Sequence, residues 1–286
     1  MRVLFCGDIV ARSGREVIKK YIPFLKRKWK LDCVIVNGEN AQHGYGLSKG
    51  SCELFYQSGV DVITMGNHVW DQKEMLSYIE TDRRVVRPIN FFDTVPGKGF
   101  FIYQTPKGGI LVINAMGQAF IKPLLDNPFI IISNFLKQYL LGNNNIKAII
   151  IDFHAEATSE KIGLGFYLDG RVSMVVGTHT HVPTADARIL PKGTGFLSDA
   201  GMCGDYNSII GDSLQSMSSR FLERTPMLRR PDPAIGEGTL CGVYLETNDN
   251  TGLANIVEPV CIGGTSLKTQ IPEGFQKDLE EIRTLK

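Results

Sequence analysis

The chain has 286 residues, of which 43% are hydrophobic and 21% charged, a composition typical of a globular protein. Lys and Arg number 31 against 30 Asp and Glu, so the formal net charge is only +1. A charge this close to zero gives no overall field that would draw the protein to nucleic acid or to an anionic membrane. We therefore expect one α/β domain over residues 1–286 that acts on a small or locally recognised substrate.

The sequence contains no run of ~18 apolar residues of the kind that crosses a membrane. The apolar start of the chain is interrupted at Asp8, and no small-residue cleavage site follows. The six cysteines are scattered without a Cys-x-x-Cys pair, so we expect reduced, buried thiols. These features predict a cytoplasmic protein without a membrane span.

In chain order, short β-branched runs alternate with helix-like segments, which is typical of an α/β sheet. The runs predict strands at Val3–Gly7, Cys33–Asn37, Val60–Met65, Gly109–Asn114, Ala148–Phe153, Ser173–Gly177 and Gly195–Asp199. The segments between them predict helices at Gly14–Trp29, Lys49–Ser58, Gln72–Glu80 and Phe129–Leu141. Gly59 suits a helix end after Ser58, and Pro23 predicts a kink or break inside the first helix.

The last part of the chain changes character. From Gly238 onward helical patterns stop, and two strand-like runs, Thr239–Glu246 and Leu253–Cys261, predict an added antiparallel section. Residues Gly204–Pro233 carry few strand or helix signals, and we interpret them as a functional or a mobile loop.

The basic stretch Lys19–Lys30 has two interpretations. One is a nucleic-acid patch. The other, which we favour, is the solvated face of a helix whose opposite face is buried and consists of Val17, Ile18, Tyr21, Phe24 and Leu25.

Candidate metal ligands follow nearly every predicted strand. They are Asp8, Glu39, Asn40, Asn67, His154, His179 and His181, with His68 beside Asn67. Ligands of open α/β sheets bind beyond the carboxyl ends of the strands. A single histidine there is usually structural, but five strand ends with Asp, Glu, Asn or His are hard to explain by packing, because such groups are costly to bury without partners.

Metal ions are the natural partners of this mixture of imidazole, carboxylate and amide groups. The lack of thiolates favours Mn²⁺, Fe or Mg²⁺, with Zn²⁺ as an alternative. Seven ligands exceed the needs of one tetrahedral ion and match two ions that share a carboxylate. Two metals ~3.5–4 Å apart support in-line displacement at phosphorus and generate hydroxide near neutral pH. The set predicts a phosphoesterase.

Gly66-Asn67-His68 together with Gly177–His181 resembles the metallophosphoesterase (calcineurin-like) signature. The longer ordered set, residues 7–10, 37–41, 66–71, 152–160 and 177–183, is similar to one bacterial branch, the YmdB type, over essentially the whole chain. The resemblance implies a layered α/β/β/α sandwich with metals at the strand ends. It also implies a homo-oligomer and phosphodiesterase activity, notably on 2′,3′-cyclic nucleotides.

The resemblance further implies a role for each ligand. Asp8, Glu39, Asn40 and His181 would hold one metal, and Glu39, Asn67, His154 and His179 the other, with Glu39 bridging. His68 would be the general acid that protonates the leaving alkoxide.

Two positions depart from the broad superfamily pattern. Val10 stands where that pattern has His, and Glu39 stands where it has Asp. Within the branch, Asn40 takes the place of the missing His. An amide oxygen hardens that site, and we expect two divalent ions, Fe or Mn, with Mg or Zn as alternatives.

Several roles stay open. His43 contacts substrate, orients Glu39 or is an ordinary loop histidine. Asp199 and Asp205 are similarly unassigned, and Trp70 and Tyr45 either stack on a base or, as we favour, pack. The leading function is hydrolysis of a small phosphodiester. The alternatives are a phosphomonoesterase (a nucleotidase or phosphoprotein phosphatase) and a low-turnover regulatory or RNA-associated metal-binding protein with a local RNA contact.

Overall fold

The structure, a computed structural model, describes residues 1–143, 145–222 and 230–285, without the side chains of 217–220. Its strands are β1 (Arg2–Ile9), β2 (Cys33–Asn37), β3 (Val62–Thr64), β4 (Val85–Val86), β5 (Phe100–Thr105), β6 (Gly108–Met116), β7 (Ile146–His154), β8 (Met174–Thr178), β9 (Arg188–Ile189), β10 (Gly195–Leu197), β11 (Met202–Cys203), β12 (Thr239–Thr247) and β13 (Ala254–Gly263). Its helices are α1 (Ala11–Lys28), α2 (Lys49–Gln57), α3 (Met75–Thr81), α4 (Pro128–Phe135), α5 (Thr158–Tyr167), α6 (Leu214–Leu222) and α7 (Leu279–Thr284).

Two mixed sheets organise the described residues. The first has the order β13-β12-β1-β2-β3-β4, and β11 also pairs with β1. The second has the order β5-β6-β7-β8-β10-β9. The central pairs of both sheets, β1 with β2 and β7 with β8, are parallel, whereas β12 and β13 are antiparallel to their neighbours. The antiparallel section predicted near the end of the chain is therefore confirmed.

Alternating side chains of the strands produce four layers. Phe5 in β1 and Val112 in β6 belong to one buried cluster shared by both sheets. Their neighbours Leu4 and Leu111 belong to separate clusters on the outer faces, which also contain helical residues. Each fully buried side chain of this size contributes about 1.5–3 kcal/mol. The arrangement is the α/β/β/α sandwich that the resemblance implies.

Helix α1 covers the first sheet with the face that the sequence predicts, Val17, Ile18, Tyr21, Phe24 and Leu25, all of them buried. On the basic face, Lys26 Nζ lies 2.7 Å from Asp61 and Lys28 Nζ lies 2.8 Å from Glu281. α1 runs through Pro23 without interruption, so a break there is excluded, while the other predicted outcome, a kink, stays a prediction. The packed face of this 18-residue helix outweighs the one backbone hydrogen bond that Pro23 cannot donate.

Several of the observed strands and helices are not predicted from the sequence. Strand β5 and helix α5 are among them, and Gly163 and Gly165 lower the helix propensity of α5. The expectation that helices stop at Gly238 is wrong, because α7 lies beyond it. Within Gly204–Pro233 the structure contains β-bridges and α6, while residues 223–229 of that predicted loop lie outside the described residues.

Two smaller expectations hold. All six cysteines are free and buried, as predicted. Gly59 follows the end of α2 with φ +97°, a conformation that glycine adopts without steric cost. In the described part of the chain no helix combines the length and apolarity needed to cross a membrane.

Candidate metal centre

The seven candidate ligands lie together at the carboxyl ends of parallel strands from both sheets. Those of the first sheet end β1 or follow β2 and β3, and those of the second sheet end β7 or follow β8. They are the residues singled out in the sequence, Asp8, Glu39, Asn40, Asn67, His154, His179 and His181.

One group of ligand atoms surrounds His154 Nε2. Asn67 Oδ1 lies 3.0 Å from it, His179 Nδ1 3.1 Å and Glu39 Oε1 3.2 Å. The candidate ligand atoms of Glu39, His154 and His179 all lie within 4.8 Å of one another. A single N–H at His154 Nε2 cannot donate a hydrogen bond to all three of these atoms at once, whereas one bound cation can be coordinated by all of them.

Glycine at position 66 permits this convergence. A Cβ there would collide with Glu39 Oε2 and with the imidazole ring of His154. The Gly-Asn-His motif therefore needs glycine for close approach of the backbone to the cluster.

Asp8, Asn40 and His181 form a second group. Asn40 Nδ2 lies 2.8 Å and Asp8 Oδ1 4.0 Å from His181 Nε2. Asp8 Oδ1 and Asn40 Oδ1 are buried without a hydrogen-bond partner among the described residues. An unsatisfied buried oxygen costs about 1–3 kcal/mol, and a cation would remove that cost. Carboxylate, amide and imidazole are donors that divalent metals accept, so the residues fit such ions.

Hydrogen bonds to the outer ring nitrogens orient two of the histidines. His181 Nδ1 lies 2.6 Å from the carbonyl oxygen of Ile210. His154 Nδ1 lies 2.9 Å from Thr178 Oγ1, whose hydroxyl donates to Asp152 at 2.7 Å. Each partner holds the proton on Nδ1, so Nε2 is the ring atom that faces the candidate site.

A buried chain of hydrogen bonds joins the two sheets beneath the site. Asn37 Nδ2, at the end of β2, donates to Asp152 Oδ2 in β7 at 2.9 Å. Asn37 Oδ1 accepts from the backbone N–H of Glu39 at 3.2 Å. Through Asp152 and Thr178, Glu39 is thereby connected to His154, and the relative position of these two candidate ligands is fixed.

Burial and neighbouring charges shift the pKa values of three candidate ligands. Burial raises the pKa of Asp8 to about 6, although His181 and His154 oppose the rise. Burial disfavours charged His154, but the attraction of Glu39 outweighs it and raises the pKa of His154 to about 9. Burial, together with the charge of His154, lowers the pKa of His179 to about 3. Without a metal, the cluster thus retains a proton on His154 near neutral pH.

His68 lies beside the cluster, and its ring makes contacts outside the candidate ligand set. Its backbone N–H donates to Glu39 Oε2 at 3.1 Å, and its Nδ1 lies 2.7 Å from Asp71 Oδ2. Arg230 Nη2 approaches the same Asp71 oxygen at 2.8 Å, and its guanidinium lies 4.3 Å from the centre of the Tyr45 ring. The Tyr45 ring meets the His68 ring edge-on at 5.0 Å.

A cleft of about 320 Å³ opens above these groups, and Tyr45, His68, His179 and His181 line it. Glu156, whose carboxylate lies 3.2 Å from His179 Nε2, also lines it. A larger cavity of about 640 Å³ lies beside α1, but none of the candidate ligands line it. The smaller cleft is therefore the candidate substrate site, because candidate ligands line it.

Three residues left open in the sequence have distinct surroundings. His43 is exposed, with φ +53°, in the loop before Tyr45. Asp205 accepts a hydrogen bond from Gly236 N at 2.9 Å and thereby ties two loop segments together. Trp70 packs edge-on against Phe91 at 6.0 Å, as the packing interpretation expects.

Sequence reasoning missed several contacts of the site. The Ile210 carbonyl and Arg230 come from the region whose local pattern carried few signals. Asp71 and Thr178 stand inside the quoted motifs, Asp71 four residues after Asn67 and Thr178 directly before His179, so the motifs themselves could have indicated orienting roles for both. Lys161, in α5, is the buried partner of Asp199 at 2.7 Å, and no local pattern distinguishes it.

The chain is similar over most of its length to several known proteins. A curated relative from Bacillus subtilis (strain 168), named 2′,3′-cyclic-nucleotide 2′-phosphodiesterase, is 45% identical over 92% of this chain and 97% of its own length. The crystal structure of a hypothetical protein from Thermus thermophilus matches with TM-score 0.85 and 38% identity, covering 93% of this chain and all of that one. A crystal structure described as a novel phosphatase, from Mycoplasma pneumoniae, matches with TM-score 0.85 and 33% identity, covering 99% of this chain and 98% of that one.

The family comparison covers nearly the whole chain. The model of the YmdB-like protein family matches residues 4–260, a range that contains every candidate ligand. The strand ends that carry the site fall within this range, as do all strands except the first two residues of β1 and the last three of β13. The chain belongs to the YmdB-like protein family.

Proposed function

We propose that the protein is a metal-dependent phosphodiesterase that hydrolyses 2′,3′-cyclic nucleotides or related small phosphodiesters. The convergence of Asn67, Glu39 and His179 on His154 Nε2, at 3.0–3.2 Å, carries this proposal. The name of the Bacillus subtilis relative, which is 45% identical, supports the phosphodiester class.

Two divalent ions, Fe or Mn with Mg or Zn as alternatives, are proposed to bind to the seven candidate ligands, which together form the metal cage. Asp8, Glu39, Asn40 and His181 would hold one ion, and Glu39, Asn67, His154 and His179 the other. The two groupings of short distances and the unpartnered oxygens of Asp8 and Asn40 support this division. When bound, such ions supply Lewis acidity that stabilises charge at phosphorus and activates water.

His68 is proposed as the general acid. Asp71 engages Nδ1, so Nε2 is the ring atom available to deliver a proton to the leaving oxygen. Arg230 shares the Asp71 oxygen and stacks on Tyr45, and these contacts restrain the ring of His68 at the cleft. His43 stays a candidate substrate contact.

A phosphomonoesterase is the second candidate function. The Mycoplasma pneumoniae structure described as a phosphatase, 33% identical to this chain, favours it. The experiment compares turnover of bis-p-nitrophenyl phosphate and 2′,3′-cyclic AMP with that of p-nitrophenyl phosphate, all with Mn²⁺ or Fe²⁺. Faster turnover of the diesters is expected, and a clear preference for the monoester would overturn the diesterase assignment.

Some wider expectations are also proposals. A single domain is supported by the core cluster to which both sheets contribute. A cytoplasmic location, a homo-oligomer and a local RNA contact stay predictions from the sequence and its resemblance. Size-exclusion chromatography with light scattering tests the oligomer, and RNA binding that survives removal of the metals would support the binding-protein alternative.

A further inference from the structure

A fully buried ion pair lies behind the candidate metal centre. Lys161 Nζ, in the first turn of α5, lies 2.7 Å from Asp199 Oδ2, just beyond β10, and both side chains are 1% exposed. Burial of two charges costs solvation that their attraction often fails to repay. Such a pair is weak evidence for stability alone, and its other contacts indicate what it does.

The Asp199 carboxylate binds the segment between two candidate ligands. Its Oδ2 accepts hydrogen bonds from the backbone N–H of Thr180 at 3.1 Å and from the Thr180 hydroxyl at 2.8 Å. Thr180 separates His179 from His181. The carboxylate therefore restrains the backbone from which both imidazoles project.

The same carboxylate reaches a ligand on the other sheet. Asp199 Oδ1 accepts from Gly201 N at 2.9 Å, and the Gly201 carbonyl accepts from the backbone N–H of Asp8 at 3.1 Å. One buried charge thus connects His179 and His181 with Asp8. These residues belong to both groups of the candidate cage.

The segment that Asp199 binds, His179–His181, has a strained backbone. His179 has φ +102° and His181 φ +66°, in a region that residues other than glycine rarely adopt. Backbone strain of this kind persists only where the surroundings hold it. Asp199 supplies hydrogen bonds at the residue between the two strained positions, and Lys161 supplies the compensating charge.

We propose that Lys161 and Asp199 are positioning residues for the metal cage, holding His179, His181 and Asp8 in their ligating arrangement. The metal part of this inference rests on the proposed function. The positioning part concerns the metal-free protein and can be tested separately.

The experiment uses Asp199→Asn and Lys161→Met in the full chain. Thr180→Val, which removes only the hydroxyl contact at a half-buried side chain, covers the case that either variant fails to fold. Asp169→Asn is the matched control, because that buried carboxylate accepts backbone N–H groups of Lys192 and Thr194 at the opposite end of α5. Mn²⁺ affinity is measured by chelator competition, and hydrogen exchange of amides 178–182 is measured without metal.

We expect Asp199→Asn to weaken Mn²⁺ binding about 10- to 100-fold, the usual effect of removing a group that orients ligands. Amides 178–182 should exchange faster in metal-free Asp199→Asn than in the metal-free wild-type protein. A smaller effect of the same kind is expected in Thr180→Val. Asp169→Asn should change neither readout, even at a similar loss of thermal stability.

Wild-type Mn²⁺ affinity and wild-type exchange in both Asp199→Asn and Thr180→Val would overturn the positioning role. Equal weakening by Asp169→Asn would also overturn it, because a general loss of stability would then explain the effect. Failure of the wild-type protein to bind any of Mn²⁺, Fe²⁺, Mg²⁺ and Zn²⁺ would instead overturn the proposed function, while the exchange rates would still decide the positioning role.

Discussion

Replacing His68 with alanine should separate metal binding from proton transfer. The described contacts of its ring are with Asp71 and Tyr45, neither of which is a candidate ligand. Its backbone N–H, which donates to Glu39, survives the substitution. We therefore expect His68→Ala to retain two metal ions per chain. The lost pair with Asp71 is partly exposed and should cost at most about 1 kcal/mol of stability.

The effect on rate should depend on the leaving group. General acids typically contribute about 10²- to 10⁴-fold when the leaving oxygen is a poor one, such as the alkoxide of a cyclic nucleotide. That range corresponds to about 3–5 kcal/mol of activation free energy. Nitrophenolate leaves readily without a proton, so the loss for bis-p-nitrophenyl phosphate should stay below about tenfold.

The assay compares kcat/KM for 2′,3′-cyclic AMP and bis-p-nitrophenyl phosphate, with metal content measured on the same samples. Asp71→Asn serves as the control, since it retains the ring and removes only the charge that orients it. We expect an intermediate loss with the cyclic nucleotide. An equal fall for both substrates would show that His68 is not the acid, and loss of metal would show that it is a ligand.

Three further predictions follow from the contacts of the site. Thr178→Val should weaken metal binding about 10- to 100-fold in chelator competition, because it breaks the hydrogen bond to His154. The equally buried Thr194→Val, at the opposite end of the strands, should lower only the melting temperature. Metal and proton compete for His154, whose pKa is raised to about 9, so metal affinity should rise as pH increases toward that value. Titrations at about pH 7 and about pH 8 should differ about tenfold for one released proton, and equal affinities would contradict this. Arg230→Met should lower kcat for cyclic nucleotides less than about tenfold with metal content unchanged, because the Arg230 side chain is 55% exposed and its pair with Asp71 is screened by solvent. Loss of metal in that variant would contradict this prediction.

The strand ends were the most predictable part of the molecule. Asp8 and His154 each end a buried β-branched run, and the carboxyl ends of parallel strands lie at one edge of a sheet. A sequence pattern therefore places such groups near one another without knowledge of the loops. The meeting of ligands from two different sheets at one site is a tertiary property. The resemblance implied it, whereas the periodicity of the sequence did not.

Elements with weak local signals were not predictable. Helix α5 contains Gly163 and Gly165, and only its packing against β8 and the buried Lys161 explain its position. The Ile210 carbonyl, which orients His181, lies 29 residues away in the chain. Contacts of this kind depend on tertiary structure, because nothing in the sequence beside Ile210 specifies its partner.

The metal dependence of the reaction is measured by adding Mn²⁺ or Fe²⁺ back to chelator-stripped protein and following turnover of 2′,3′-cyclic AMP, with bound metal counted at each step. The proposed cage predicts that turnover returns as two ions bind per chain, and that Asn67→Ala loses both metal and turnover. Full turnover by the stripped protein, or by Asn67→Ala, would contradict a metal-centred diesterase.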